Sequence, residues 1–235
     1  MLPLRDVIPS RTVPYVTITL IVLNALAWFV ELSLPREDLP AFLQAWGVVP
    51  AAFVPFTLFT SMFLHGGWSH VIGNMWWLWI FGDNVEDRMG HGRFIAFYLL
   101  CGCVAAFGQI LVNPESTLPT IGASGAIAGV MGAYVVLYPK SRVLTLIPLI
   151  IFWDVIELPA VLLLGFWFVM QLFNAGAIAV TSSAVNGGGV AFMAHVAGFV
   201  AGAAGVFVFR KRQPPAEGRS EEHTSELQSL AYLVC

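Results

Sequence analysis

Hydrophobic positions in this chain fall in long runs broken by short polar gaps, not in two-residue alternation or narrow stripes. The runs predict six helices, at about residues 16–34, 69–88, 92–112, 123–139, 158–180 and 190–209. Pro14 sets the start of the first. Several runs approach the ~20 residues needed to cross a bilayer. The fifth is clear by hydropathy. The second and fourth are polar or glycine-rich for spans, which suggests interior positions. Two other apolar regions are interrupted. In the loop at about 35–68, AFLQAWGVVPAAF and PFTLFTSMFL are broken by Pro50 and Pro55 and read as short helices lying in the outer leaflet. VLTLIPLIIFWDVIE, 143–157, carries a proline and two acids, which argue against a span. It is placed at the cytoplasmic face.

Composition agrees with these runs. Of 235 residues 58% are hydrophobic and 11% charged, against roughly 25% charged in soluble domains. The chain is therefore expected to be an all-α, polytopic membrane protein. No basic face interleaves with aromatics, so nucleic acid is not an expected partner. No internal repeat is visible, which weakens a transporter reading.

Lys and Arg set the orientation. Arg5, Arg11, Arg88, Arg93, Lys140, Arg142, Arg210, Lys211 and Arg212 fall on one side if there are six spans, and the other side has only Arg36. Both termini are then cytoplasmic. The first span has a basic flank, but the AWFVELS that ends it is a poor cleavage site, so it reads as a retained signal anchor.

The last residues stand apart. RSEEHTSELQS, 219–229, is the translation of a sequencing-adapter DNA, and Leu233, Val234 and Cys235 match its continuation. Residues 219–235 are read as a non-native artefact and 213–218 as the start of a truncated cytoplasmic tail, leaving 1–212 as the membrane domain. Without 219–235 the net charge moves from −3 to −1, since one Arg and three Glu are lost. Cys101 and Cys103 then remain. Two residues apart on a helix, they point to different faces and read as small buried apolar residues, with no disulfide framework or metal-ligand spacing.

Candidate chemistry lies in the outer halves of three spans. The second carries HGGWSHVIGN, with His70 and Asn74 on one helical face and His65 at the loop junction. The fourth begins with GASG around Ser124; Ala126 leaves the soluble-hydrolase elbow G-x-S-x-G incomplete. The sixth carries AHVAGFVAG with His195 about one turn in. Each has a plain structural explanation by itself: helix-to-helix hydrogen bonding for the His and Asn residues, close packing for Gly125-x-x-x-Gly129 and Gly198-x-x-x-Gly202. Together they place a hydroxyl, a base and amide or imidazole donors at one depth. Those are the parts of nucleophilic acyl transfer. No acid is placed to complete a triad, so a Ser124–His195 dyad is expected. Gly125 and Gly129 are expected to bring the fourth helix close to the sixth.

At these residues the sequence resembles the rhomboid family of intramembrane serine proteases. The likeness rests on H-x4-H-x3-N (His65, His70, Asn74), followed by Leu78, Gly82 and Glu86. It continues with G-x-S-G (Gly122, Ser124, Gly125) and A-H-x2-G-x3-G (Ala194, His195, Gly198, Gly202). It covers roughly 50–210 and implies a six-transmembrane-helix bundle that hydrolyses peptide bonds in or near transmembrane segments of other proteins. Ser124 would be the nucleophile and His195 the base. His70, Asn74 and the Ser124 N–H would hold the oxyanion, with His65 supporting and Glu86 structural. SSAVNGGGVAFM, 182–193, would cap the site, and Trp167, Phe168 and Gln171 of the fifth span would form a lateral gate. No metal or other cofactor is implied, and the sequence carries no signal for an oligomeric state. The expected partners are transmembrane substrates and the bilayer, in a prokaryotic plasma membrane with the site opening outward. Where some members carry an aromatic four residues after the nucleophile this chain has Ala128, so support for His195 is expected from elsewhere, such as an aromatic on another helix. The alternative is a catalytically silent rhomboid-like binder; inactive relatives typically lose the Ser or the His, and this sequence keeps both.

Overall fold

Pro14 ends an extended entry segment and opens helix α1, Tyr15–Ser33. No side chain of its own caps α1. The cap comes from Glu86, whose carboxylate accepts the Val16 N–H at 2.9 Å, the Thr17 N–H at 2.8 Å and the Thr17 hydroxyl at 2.7 Å. A negative group at a helix start satisfies orphan donors and complements the helix dipole. Glu86 belongs to α4, Trp68–Met89, so this bond set also ties the two helices at one end. The buried stripe of α1 is Thr17, Leu20, Asn24, Trp28 and Glu31, while Val22, Leu26, Phe29 and Val30 face outward. Polar groups turned inward and aliphatic ones outward is the pattern of a helix whose surroundings are lipid.

The computed structural model describes residues 2–148, 153–181 and 191–211. After α1 come two short helices, α2 (Leu39–Trp46) and α3 (Thr57–Thr60), then α4. Next are α5 (His91–Val112), α6 (Ser124–Leu137), α7 (Ala160–Thr181) and α8 (Phe192–Phe209). The long helices lie within about two residues of the expected bounds. Among the described residues three helices, α1, α5 and α8, are long and apolar enough to cross a membrane; α4 is long but more polar, and α6 has 14 residues. Most of the expected capping loop (182–190), residues 149–152 and the 213–218 and 219–235 segments lie outside the described residues.

Helix α6 is the axis of the bundle. Every residue from Gly125 to Tyr134 is buried. Its Gly and Ala positions keep it slim enough for α4, α5, α7 and α8 to reach it. Against α8 the main chains meet. A Cβ at Gly198 would overlap the Gly125 carbonyl, and one at Gly202 would overlap the Gly129 carbonyl. Against α5 the contact is different: a Cβ at Gly125 would stand 2.5 Å from the Ala105 Cβ, and one at Gly129 2.5 Å from the Cys101 Cβ. The expected closeness of α6 and α8 is present: Gly198 and Gly202 of α8 and Gly132 of α6 create it, and Gly129 adds to it with a Cβ position 3.2 Å from the Gly198 carbonyl, while Gly125 and Gly129 also make room for α5. Cys101 is buried in that seam, and both Cys101 and Cys103 are free thiols.

A three-stranded antiparallel sheet closes the end of the bundle opposite Ser124, an element type that an all-α expectation does not contain. Strand β1 (Leu2–Asp6) pairs with β2 (Arg142–Pro148), and β2 pairs with β3 (Trp153–Pro159). The 143–157 segment is thus a pair of strands. Asp6 anchors the sheet: its carboxylate accepts the Tyr134 hydroxyl at 2.6 Å and the Asn84 amide at 2.8 Å. Burial pushes the Asp6 carboxyl above its ordinary value, with the Tyr134 bond acting against that rise.

Candidate active site

Ser124 is the first residue of α6. The chain reaches it through Gly122, whose φ of +121° strongly favours glycine. The region from α2 to α4 holds this approach. The Gly122 N–H donates to the Ser61 carbonyl at 2.8 Å, and Val48 and Thr120 exchange main-chain bonds at 3.0 and 2.7 Å. The short apolar helices thus fix the height and direction from which α6 starts.

His195 stands in the first turn of α8, directly across the main-chain contact with α6. Its Nε2 is 2.7 Å from Ser124 Oγ, and its Nδ1 is 2.8 Å from Gln171 Oε1 on α7. An amide oxygen only accepts, so the proton of the neutral ring lies on Nδ1 and donates to Gln171. That leaves Nε2 as the acceptor for the Ser124 hydroxyl. The Trp167 ring lies 5.7 Å from the His195 ring at 37° and 6.3 Å from Phe199. Phe168 stacks on Phe199 at 4.5 Å. An aromatic of another helix therefore supports His195, where Ala128 contributes only a methyl buried in the α6 core. The residues expected at a gate divide their contacts: Trp167 and Gln171, one turn apart, are turned onto the base, while Phe168 packs on α8.

On the other side of Ser124, α4 brings His70 and Asn74 to Gly122. A Cβ at Gly122 would fall 2.7 Å from His70 Nε2 and 3.7 Å from Asn74 Nδ2. Any side chain there would displace His70 and press against Asn74. The Gly66 N–H donates to His70 Nδ1 at 3.2 Å, so the His70 proton sits on Nε2, facing Gly122. Asn74 Nδ2 is a buried donor with no partner among the described residues. Two side-chain donors and the first N–H groups of α6, unpaired by the geometry of a helix start, are thus collected around the serine.

His65 lies behind them, its ring 5.0 Å from the His70 ring in an edge-on pair. Its main-chain N–H donates to both oxygens of Glu31, at 3.0 and 3.2 Å. Sequence reasoning passed over Glu31. The signal was an acid three residues from the end of an apolar span, where a buried carboxylate needs a partner. Among the described residues no cluster of three or more His, Cys, Asp or Glu stands ready to hold a metal ion. What the arrangement can do is move a proton from a hydroxyl to an oriented imidazole while neighbouring donors receive a negative oxygen.

A sequence model of the Rhomboid domain matches residues 53–212. Rhomboid-like protein 11, chloroplastic, of Arabidopsis thaliana is 28% identical over 201 residues, covering 80% of this chain and 66% of its own length. Rhomboid protease GluP of Bacillus subtilis is 36% identical over 85 residues, 36% of this chain and 16% of that protein. Presenilin-associated rhomboid-like protein A, mitochondrial, of Danio rerio is 30% identical over 95 residues, 39% of this chain and 25% of that protein. The matched parts thus span just under two thirds of the first relative and a quarter or less of the other two. Taken with its apolar helices, this places the chain in the rhomboid family of integral membrane proteins.

Proposed function

We propose that the protein is an intramembrane serine endopeptidase that cleaves transmembrane protein substrates. The observation that carries this reading is the 2.7 Å contact between Ser124 Oγ and an imidazole nitrogen free to accept its proton. His195 Nε2 takes the Ser124 proton as Oγ bonds to the scissile carbonyl carbon. The oxygen that becomes negative is received by His70 Nε2–H, Asn74 Nδ2–H and the Ser124 N–H. The imidazolium then returns its proton to the leaving amide nitrogen, and the C–N bond breaks. Water hydrolyses the Ser124 ester in a second round through the same base.

Six crossings suit the chain. Pairing of β1 with β2 requires an even number of traverses between residues 6 and 142, and α1, α4, α5 and α6 supply four. Helices α7 and α8 return the chain to the same side, which carries nine of the Lys and Arg residues named above. With 14 residues α6 is about 21 Å long, short of the ~30 Å hydrocarbon core. With Lys140 and Arg142 at the inner boundary, Ser124 lies several ångströms beneath the outer surface. A substrate segment arriving from lipid meets α7, whose Leu162, Phe166, Val169 and Phe173 face outward. The Lys and Arg asymmetry puts the site on the face away from the basic side, which in a prokaryotic plasma membrane is the outer one. Relatives named chloroplastic and mitochondrial make organelle membranes the alternative.

The test is cleavage of transmembrane reporters in proteoliposomes by wild type, Ser124→Ala and His195→Ala, with a fluorophosphonate probe as a second readout. Cleavage and labelling by wild type alone is the expected result. If wild type neither cleaves a broad panel nor labels, yet still captures membrane proteins, the silent-binder reading replaces this one.

A further inference from the structure

We infer that Gln171 is the positioning residue of the base: a neutral third member that holds His195 in the one tautomer able to take the Ser124 proton. As a statement about catalysis this rests on the endopeptidase reading above. As a statement about the histidine it rests on geometry alone.

A neutral imidazole carries its proton on one nitrogen, and a ring with nothing at Nδ1 divides between the two tautomers. The Nε2–H form would direct a proton at Ser124 Oγ and could not receive one. Gln171 Oε1, 2.8 Å from Nδ1, selects the other form. Both side chains are buried, at 8% exposure for His195 and 9% for Gln171, so water competes little for Nδ1. Trp167, one turn before Gln171 on the same helix, lies against the ring and limits its tilt. A carboxylate at this place would do the same orienting work, but it would bury a charge in an apolar bundle; the amide supplies the acceptor without one. Because the acceptor sits on α7 while nucleophile and base sit on α6 and α8, a working base requires α7 to be seated against α8.

The experiment uses the full chain in lipid nanodiscs, labelled with ¹⁵N-histidine. The His195 signals are assigned by their loss in His195→Asn. In wild type His195 Nδ1 should be of the protonated type and Nε2 of the bare type; the reverse assignment overturns the inference whatever the variants do. In Gln171→Met the two nitrogens should move toward averaged shifts. Its kcat should fall about 10- to 100-fold with KM little changed, short of the ~10⁴-fold seen when a triad loses the correct tautomer outright. Gln171→Glu restores an acceptor and should recover both the tautomer and most of kcat. A wild-type tautomer or a wild-type kcat in Gln171→Met overturns the proposal. If wild type cleaves nothing but the tautomer still follows residue 171, Gln171 keeps its positioning role and the endopeptidase reading falls.

Discussion

Replacing Gly202 by alanine tests how closely the spacing of α6 and α8 governs the serine–histidine contact. The added Cβ would overlap the Gly129 carbonyl and lie 2.5 Å from the Gly129 Cα. Nonbonded carbons rest at about 3.5 Å or more, and the opposing atoms are main chain, which has no rotamer to yield. Helix α8 must therefore withdraw by about 1 Å. His195 is seven residues earlier, two turns along nearly the same face, so its ring moves with the helix. A 2.7 Å contact becomes about 3.7 Å, beyond hydrogen-bond reach. General-base assistance contributes about 10²–10⁴ in rate, and loss of its lower bound is about 2.7 kcal/mol on the barrier. Overpacking also costs about 1–3 kcal/mol of stability. The assay is reporter cleavage in proteoliposomes beside fluorophosphonate labelling, with thermal unfolding to show that the variant is folded. Gly202→Ala should lose about 100-fold in kcat. Gly92→Ala, where a Cβ meets nothing within 4 Å, serves as the control. A folded Gly202→Ala that cleaves and labels within about threefold of wild type would refute the claim that this main-chain contact sets the dyad distance.

Other expectations follow from single side chains. Asn74→Ala should lower kcat by roughly 10–10³ with KM little changed; an unaltered kcat removes Asn74 from oxyanion stabilisation. Glu86→Ala strips the Val16 and Thr17 donors of their acceptor and should cost about 3 kcal/mol in reversible unfolding, so an unshifted transition would show that α1 is held by other contacts. For Asp6 the folded pKa is raised above the ordinary 3.8, so its contribution is full below the unfolded value and is lost as pH rises through the folded one. Asp6→Asn keeps an acceptor without the charge. Its Tm relative to wild type should therefore improve as pH rises above about 4, and a parallel pair of Tm profiles would contradict this.

The helices were legible because apolar runs of this length in a sparsely charged chain have few other solutions. The site residues were legible for the complementary reason: His70, Asn74, Ser124 and His195 are polar groups in expensive places. What could not be read was which groups meet. Helix α7 carries polar Gln171 in a largely apolar stretch, which marks an inward face but not the side chain it meets there. The resemblance implies a gate role for Gln171 and Trp167, and their contacts are with His195. Likewise the spacing of Gly125 and Gly129 pointed to the sixth span, and a second neighbour, Ala105 and Cys101 of α5, could not be read from it. The sheet escaped because its strands are short and β1 finds its partner far along the chain. Only the alternation of buried Val143 and Thr145 with more exposed neighbours betrays β2, and the apolar run around it masked that period in the sequence.

That distant pairing also sets an order of assembly. Residues 2–6 are synthesised about 140 residues before their partners, Val143 to Leu146. At about 5–20 residues per second this is roughly 7–30 s. The Glu86 cap on α1 can form once α4 is made, but β1 must wait until α5 and α6 are in place, and Asp6 waits with it for Tyr134. The strand is thus the last clasp closed on the first four long helices. Lesions in it should surface as poor yield and proteolysed nascent bundles, while molecules that do close turn over at the normal rate.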